Sequence, residues 1–249
     1  ATLSWPASAD VSVDYSVAEL TATGGDFSSR TGTLTIPTGN TTGDITILLS
    51  ADTTPEMTEA FRLELSNATG ATLTTPDALG YILNDDATFV VNSTLDKPDL
   101  APGDGQVTTG TEGEITLRAA VMEARALGGQ QAIRLPAGTY PLTIDGTNED
   151  LGVTGDLDVT SGHLSIIGAG DSLTTIDAAG LDRAFDIRTG AALELADLTV
   201  TNGSPATSES GGGLRIDDAD LSLYDVTVEN NQALGQGGGL AATSNSLIN

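Results

Sequence analysis

Apolar and polar residues alternate in short runs through the early part of the chain. VSVDYSV at 11–17, GTLTI at 32–36, DITILL at 44–49 and FRLEL at 61–65 place Val, Leu, Ile or Phe at about every second position. A strand with one buried face has this period, and no run here carries the 3.6-residue period and caps of a helix. The turn-forming segments TGGD, PTGNTTGD, ADTTPE and SNATGA separate the runs. Short strands at this spacing predict an antiparallel β-sandwich, with a small barrel as the alternative.

The pattern changes at ATFVVNST, 87–94, which reads as a strand leading into a polar, turn-rich segment. The chain's one good helix signal follows. Thr116 stands as N-cap, LRAAVMEARAL fills 117–127, and Gly128–Gly129 stops it. Leu117, Ala120, Val121, Ala124 and Leu127 fall on one face, which places Arg118 and Arg125 outward. QAIRLPAGTYPLTI at 131–144 then reads as strand, turn, strand.

Beyond residue 150 the chain repeats itself. Leu164, Leu193 and Leu221 recur at spacings of 29 and 28 residues, and AFDI at 184–187, GLRI at 213–216 and GLAA at 239–242 form a second series. Such units cannot bury their faces alone and must stack. The L-x-x-L-x-L-x-x-N pattern of leucine-rich repeats is not kept, and a right-handed parallel β-helix fits better. Its expected interior includes Ile166, Ile176, Phe185, Ile187, Leu193, Leu195, Leu198, Val200, Ile216, Leu221, Leu223, Val226 and Val228. Asn202 and Asn230 stand at equivalent turns, which suggests an amide stack along the coil axis. The 117–127 helix is expected to cap the first coil and protect its edge. The predicted fold class is therefore all-β: a sandwich over 1–86, then a helical cap and parallel β-helix over 87–249. A coil that starts just before Asn249 also suggests a segment of a longer protein.

Charge narrows the partners. The chain carries 35 acidic against 9 basic side chains, for a formal net charge of -26. A field of that sign repels nucleic-acid phosphates and anionic lipid, and attracts divalent cations. Lys97 is the only lysine, a bias shared by proteins of saline surroundings and by calcium-binding surface modules. Cysteine is absent, which excludes disulfides, thiolate nucleophiles and zinc–thiolate sites. No stretch approaches the roughly 18 apolar residues of a membrane span, so no membrane insertion is expected.

The first 86 residues resemble a Calx-beta domain. The resemblance lies in VSVDY at 11–15, GGDF at 24–27, GTLTIPTGN at 32–40, the acidic series from Asp52 through Glu56 and Glu59 to Phe61, LSNATGA at 65–71 and ILNDD at 82–86. It implies a calcium site built from Asp26, Asp52, Glu56, Glu59, Asp85 and Asp86. The family's earlier acidic residue would fall upstream of Ala1, and Asn84 stands where a further Asp is common. Calcium takes six to eight hard oxygens, usually from carboxylates on converging loops, and each of these acids sits at the edge of a predicted strand. The alternative is that they are ordinary solvated loop acids. Magnesium, which keeps more of its waters, is the poorer match.

VVNST, PGDG, TLRAAVMEA and IRLPAGTY, in that order, resemble the CSLREA domain, a module of bacterial secreted or surface proteins. The family's two cysteines align with Val107 and Ile115, so packing would replace a disulfide. Asp96, Asp99 and Asp104 around the PGDG turn form a weaker candidate for a second calcium site, against the reading of a charged, solvated loop.

Together these features predict an extracellular, calcium-binding adhesion or scaffold module. Its partners would be a surface glycan, another surface protein or neighbouring domains of the same polypeptide. The other reading is a segment of a secreted polysaccharide lyase or hydrolase. Arg183, Arg188 and Arg215, the carboxyls Asp186, Asp217 and Asp218, and the single histidine His163 are its candidate groups. Nothing in their spacing marks a catalytic cluster, and the expectation is that the arginines pair with nearby aspartates and that the chain is not an enzyme.

Overall fold

The computed structural model describes residues 1–51, 56, 58–83, 86–147, 149–206, 208–243 and 245–249. The chain divides into two compact units, Ala1–Asn84 and Asp85–Asn249.

In the first unit, β1 (Val11–Glu19), β2 (Thr31–Ile36), β3 (Glu59–Thr69) and β4 (Asp77–Ile82) form an antiparallel sheet in the order β2-β1-β3-β4. The period-two reading holds in β1 and β2, where Val11, Val13, Val17, Leu34 and Ile36 are buried. Two apolar clusters line the sheet. One joins Val11, Val13, Leu34 and Ile36 to Ile45 and Leu65, and the other joins Val17, Ala22 and Phe27 to Ile47, Phe61 and Leu63. Ile45 and Ile47 thus cover the sheet from the 44–49 run, but this run forms no strand ladder. Its backbone bonds go to loops instead: the Ser28 amide donates to Leu48 and the Ser50 amide to Asp26. Among the described residues, the isolated bridges of Thr2 with Thr42 and Phe27 with Leu49 mark this second layer.

The second unit begins with β5 (Phe89–Val90) and α1 (Leu117–Leu127). The strands β6 (Gln130–Arg134), β7 (Gly138–Pro141), β8 (Leu157–Val159), β9 (His163–Ile167), β10 (Thr174–Asp177) and β11 (Phe185–Ile187) follow. The series ends with β12 (Ala192–Thr201), β13 (Leu214–Ile216), β14 (Asp220–Glu229), β15 (Leu240–Ala242) and β16 (Leu247–Ile248). Every pairing is parallel. One sheet runs β16-β14-β12-β9-β6-β5, with β10 joining β12 to β7, and another runs β15-β13-β11-β8. Leu193 pairs with Leu164 on one side and Leu221 on the other, and Leu214 with Phe185 and Leu240. Each sequence repeat is therefore one coil of a parallel β-helix. An antiparallel sheet followed by a parallel β-helix behind a single α-helix is the architecture the hydrophobic pattern predicts.

The coil interior is the expected apolar ladder, with Leu223, Val226 and Val228 packed more loosely against it. Leu195 and Leu198 both point inward although they are three residues apart. Asp197, and Asp225 one coil later, adopt left-handed conformations (φ 54° and 50°) that turn the strand a corner. Asn202 and Asn230 also turn corners at positive φ. The axial amide bonds, however, come from a neighbour. Asn231 accepts from the Gly203 amide (2.7 Å) and donates to the Val200 carbonyl (3.1 Å), whereas Asn202 donates to Asp177 (3.0 Å).

Thr116 caps α1, its hydroxyl accepting from the Ala119 amide at 3.3 Å, and the helix ends at Gly128 with φ 64°. Such a cap contributes about 1 kcal/mol. The helix packs on β6 and β8. Its burial is wider than one face: Arg118, Met122 and Glu123 are buried, and Leu127 is exposed. Loops explain the difference. The PGDG turn covers Glu123, whose carboxylate accepts the Gly103 and Gly105 amides, and the 152–156 turn covers Arg118.

Candidate metal centre

In the first unit the carboxylates of Asp26, Glu56 and Glu59 bring one oxygen each within 4.8 Å of one another. Local structure places each partner. A single 3-10 turn, Gly24–Asp26, starts at Thr23 with a reciprocal cap: the Thr23 hydroxyl accepts from Gly25, while its amide donates to Asp26 at 2.6 Å. The amides of Thr21 and Ala22 donate to the Ala60 carbonyl, and the Ala60 amide donates to the Thr21 hydroxyl at 2.7 Å. These bonds staple the 21–26 loop to the start of β3, where Glu59 stands. Phe27 and Phe61 then pack edge to face with centroids 5.3 Å apart. Glu59 and Phe61 lie two apart on β3, and so share one side of the strand.

Asp26 is held below the ordinary carboxyl range, first by the Thr23 amide, with smaller help from the Thr23 hydroxyl and from Glu59. Asp26 and Glu59 are in hydrogen-bonding contact. Two carboxyls at that range need a proton or a cation between them, because two bare charges repel. Asp26 and Glu59 are half-buried and Glu56 is exposed, so an ion could reach them from solvent. All donors are hard oxygens, the set that suits calcium.

Three of the six acids named from the sequence are thus brought together. Asp86 lies in the second unit and is half-buried. Asp52 and Asp85 lie outside the described residues.

Asp96, Asp99 and Asp104 are not brought together as a site; each serves its own backbone or partner. Asp96 pairs with Arg118 at 2.6 Å and accepts the Thr143 and Ile144 amides. Asp99 accepts from Ala101 and Thr108, and Asp104 from Gln106. Among the described residues, Asp26, Glu56 and Glu59 are the carboxylates that gather at metal-binding range. Nor is Arg118 an outward charge: it is fully buried, and it also donates to the carbonyls of Gly152, Gly155 and Asp156.

The coil arginines do pair with aspartates, as expected, but in one converging group. Arg183, Arg188 and Arg215 all meet Asp186, and Arg183 also meets Asp156 and Glu209. The register of Asp186 against both Asp158 and Arg215 creates this grouping. It could have been found by reading the 28- and 29-residue repeats for their outward positions as well as their inward ones. His163, the first residue of β9, has its pKa lowered by burial, and its Nε2 has no hydrogen-bond partner.

No protein-family model matches the sequence, and a search of curated proteins finds no match. Among solved structures, a Calx CBD1 domain in its apo form is similar at 30% identity, over 32% of this chain and 73% of that one, with a TM-score of 0.29. The calcium-binding domain CBD12 of CALX1.1 is similar at 30% identity over 38% of this chain and 41% of that one, with a TM-score of 0.33. CBD12 of CALX1.2 is similar at 25% identity over 41% of this chain and 43% of that one, with a TM-score of 0.34. The chain therefore spans less than half the length of the two CBD12 structures.

Proposed function

We propose that the chain is an extracellular, calcium-binding structural module of a surface protein, with adhesion as its role. The observation that carries this reading is the approach of Asp26, Glu56 and Glu59, with Asp26 and Glu59 in direct contact. The Calx-beta motifs at 11–15, 24–27 and 52–61 support it, since they place these same acids in the family's ligand set. Three carboxylates leave positions that further oxygens, water among them, would fill around a calcium ion. A bound ion would offset their mutual repulsion and stiffen the loop stapled to β3. The CSLREA-like order of motifs supports a surface location, and Val107 and Ile115, where that resemblance would put its cysteines, pack against the coil core. No helix among the described residues is long and apolar enough to cross a membrane.

The β-helix is the partner-facing part in this reading. Asp177, Asn202, Ser204, Asn230 and Gln232 line an open polar groove of about 530 Å³ along the coil corners. Its amides and hydroxyl suit a glycan's hydroxyls better than a phosphate. Thermal melting of the full chain with calcium, magnesium or chelator tests the proposal. At a hundred times Kd, a ligand of the native state adds about 2.7 kcal/mol. In a unit of this size that is a rise of about 10 °C or more. Equal melting with calcium and with sodium chloride at matched ionic strength would remove the basis of the proposal.

A further inference from the structure

On β8, β11 and β13 the side chains of Asp158, Asp186 and Arg215 occupy one register, between inward-facing neighbours such as Leu157, Val159, Phe185 and Ile187. They point outward, yet Asp158 and Asp186 are each only 1% exposed. The turn at 149–156 covers them. It brings Glu149, Asp150 and Asp156, and the neighbouring coil segments bring Asp182, Arg183, Arg188 and Glu209. The turn is tied down by the group itself. The Gly152 amide donates to Asp158 at 2.9 Å, Arg188 pairs with Asp150 at 2.7 Å, and Arg183 with Asp156 at 3.3 Å.

The charges do not balance. Carboxyls far outnumber the three guanidiniums, and Asp156, Asp158, Asp182 and Asp186 are all buried. Oδ1 of Asp158 and Nε of Arg183 are buried without a hydrogen-bond partner. The space these side chains enclose is about 30 Å³, roughly the room of one water and too small for a sugar ring. No three of these carboxyls bring oxygens within 4.8 Å of one another, as a metal would require. A proton is the counter-charge that fits.

We propose that this buried face is a proton-binding site that locks the 149–156 turn onto the coils at neutral pH and releases it in alkali. Asp156 is pushed up to about 8, first by burial and then by Asp158 and Asp182, with Arg183 pulling the other way. Asp158 is pushed up to about 7, mainly by burial, with the Gly152 amide opposing and Asp186 and Glu149 adding to it. Asp182 is raised as well, again chiefly by burial. The folded state therefore binds protons that the unfolded chain, titrating near pH 4, has lost. Stability from these groups is fully present below about pH 4 and is lost as pH rises through 7 to 8.

The test is thermal melting of the full chain from pH 5 to 9 with a chelator present, alongside Asp156→Asn and Asp158→Asn, which mimic the protonated forms. The wild type should lose about 10 °C between pH 6 and 9. The Asn variants should flatten that fall and melt above the wild type at pH 9. An unchanged slope in the variants overturns the proposal. Infrared spectra of the wild type alone give a second reading, which does not depend on the variants folding. A protonated carboxyl band at pH 7 that vanishes by pH 9 supports it, and a spectrum without that band at pH 7 overturns it. Hydrogen exchange in the 149–155 amides should also rise above pH 8 by more than the intrinsic base-catalysed increase.

Discussion

Phe27 and Phe61 meet edge to face at 5.3 Å, and the chain positions beside them carry the acids of the candidate metal centre. Asp26 directly precedes Phe27, and Glu59 lies two residues before Phe61 on the same side of β3. An apolar contact thus sets the distance between two carboxyls that would otherwise separate. Phe27→Ala should cost about 3–5 kcal/mol and weaken calcium binding along with stability. Denaturant unfolding with and without calcium, followed by circular dichroism, reads both.

Glu59→Gln separates charge from shape. Without calcium the variant should be at least as stable as the wild type, because the Gln amide can donate to Asp26 with no proton shared between two carboxyls. Its calcium affinity should drop by about tenfold or more. Calorimetry and melting on the same samples check the two signs together. A variant that lost stability without calcium would mean that Glu59 is a structural partner and not a ligand.

Arg118 has a buried, fully engaged guanidinium, paired with Asp96 and bonded to three carbonyls. Replacing it by methionine leaves the Asp96 carboxylate buried without its charge partner. The expected loss is about 3–5 kcal/mol, read as a lower urea midpoint for the second unit. Lys97 does not substitute for it, because that side chain is held by Glu114 at 2.6 Å.

Glu114 gives a pH prediction of the opposite sign to the coil cluster. Lys97, with help from Thr109 and Ser93, lowers its pKa to about 2. Its contribution is present above the ordinary value of 4.5 and is lost as pH falls toward 2. Acid melts of Glu114→Gln should therefore fall less steeply below pH 4.5 than those of the wild type. Parallel acid curves would show that the Lys97 contact adds nothing.

Leu193 sits between Leu164 and Leu221 in the coil ladder and is buried. Leu193→Ala should cost about 2–5 kcal/mol, and the loss should appear in the second unit's transition. The register of successive coils is legible in the sequence because each coil repeats a buried apolar pattern at 28 or 29 residues, as Leu164, Leu193 and Leu221 show. The span and cap of α1 were legible for a similar reason: Thr116 and Gly128 act locally.

What escaped the sequence is non-local. Burial of Arg118 depends on the 152–156 turn, and convergence on Asp186 depends on coil register. Neither leaves a mark in hydrophobic periodicity, since outward charged positions look the same whether water or a loop covers them. The 44–49 run alternates like a strand, yet its hydrogen bonds go to loops, and that choice is made by chain geometry around it. Asp26, Glu56 and Glu59 were named from family motifs. Residue types alone could not separate them from the chain's other acids.

Isothermal calorimetry of calcium into chelator-treated full chain tests the central claim most directly. The account predicts saturable heat, retained in matched sodium chloride and removed by combining Asp26→Asn with Glu59→Gln. No heat above dilution, or heat unaffected by those substitutions, would contradict it and leave Asp26, Glu56 and Glu59 as solvated surface acids.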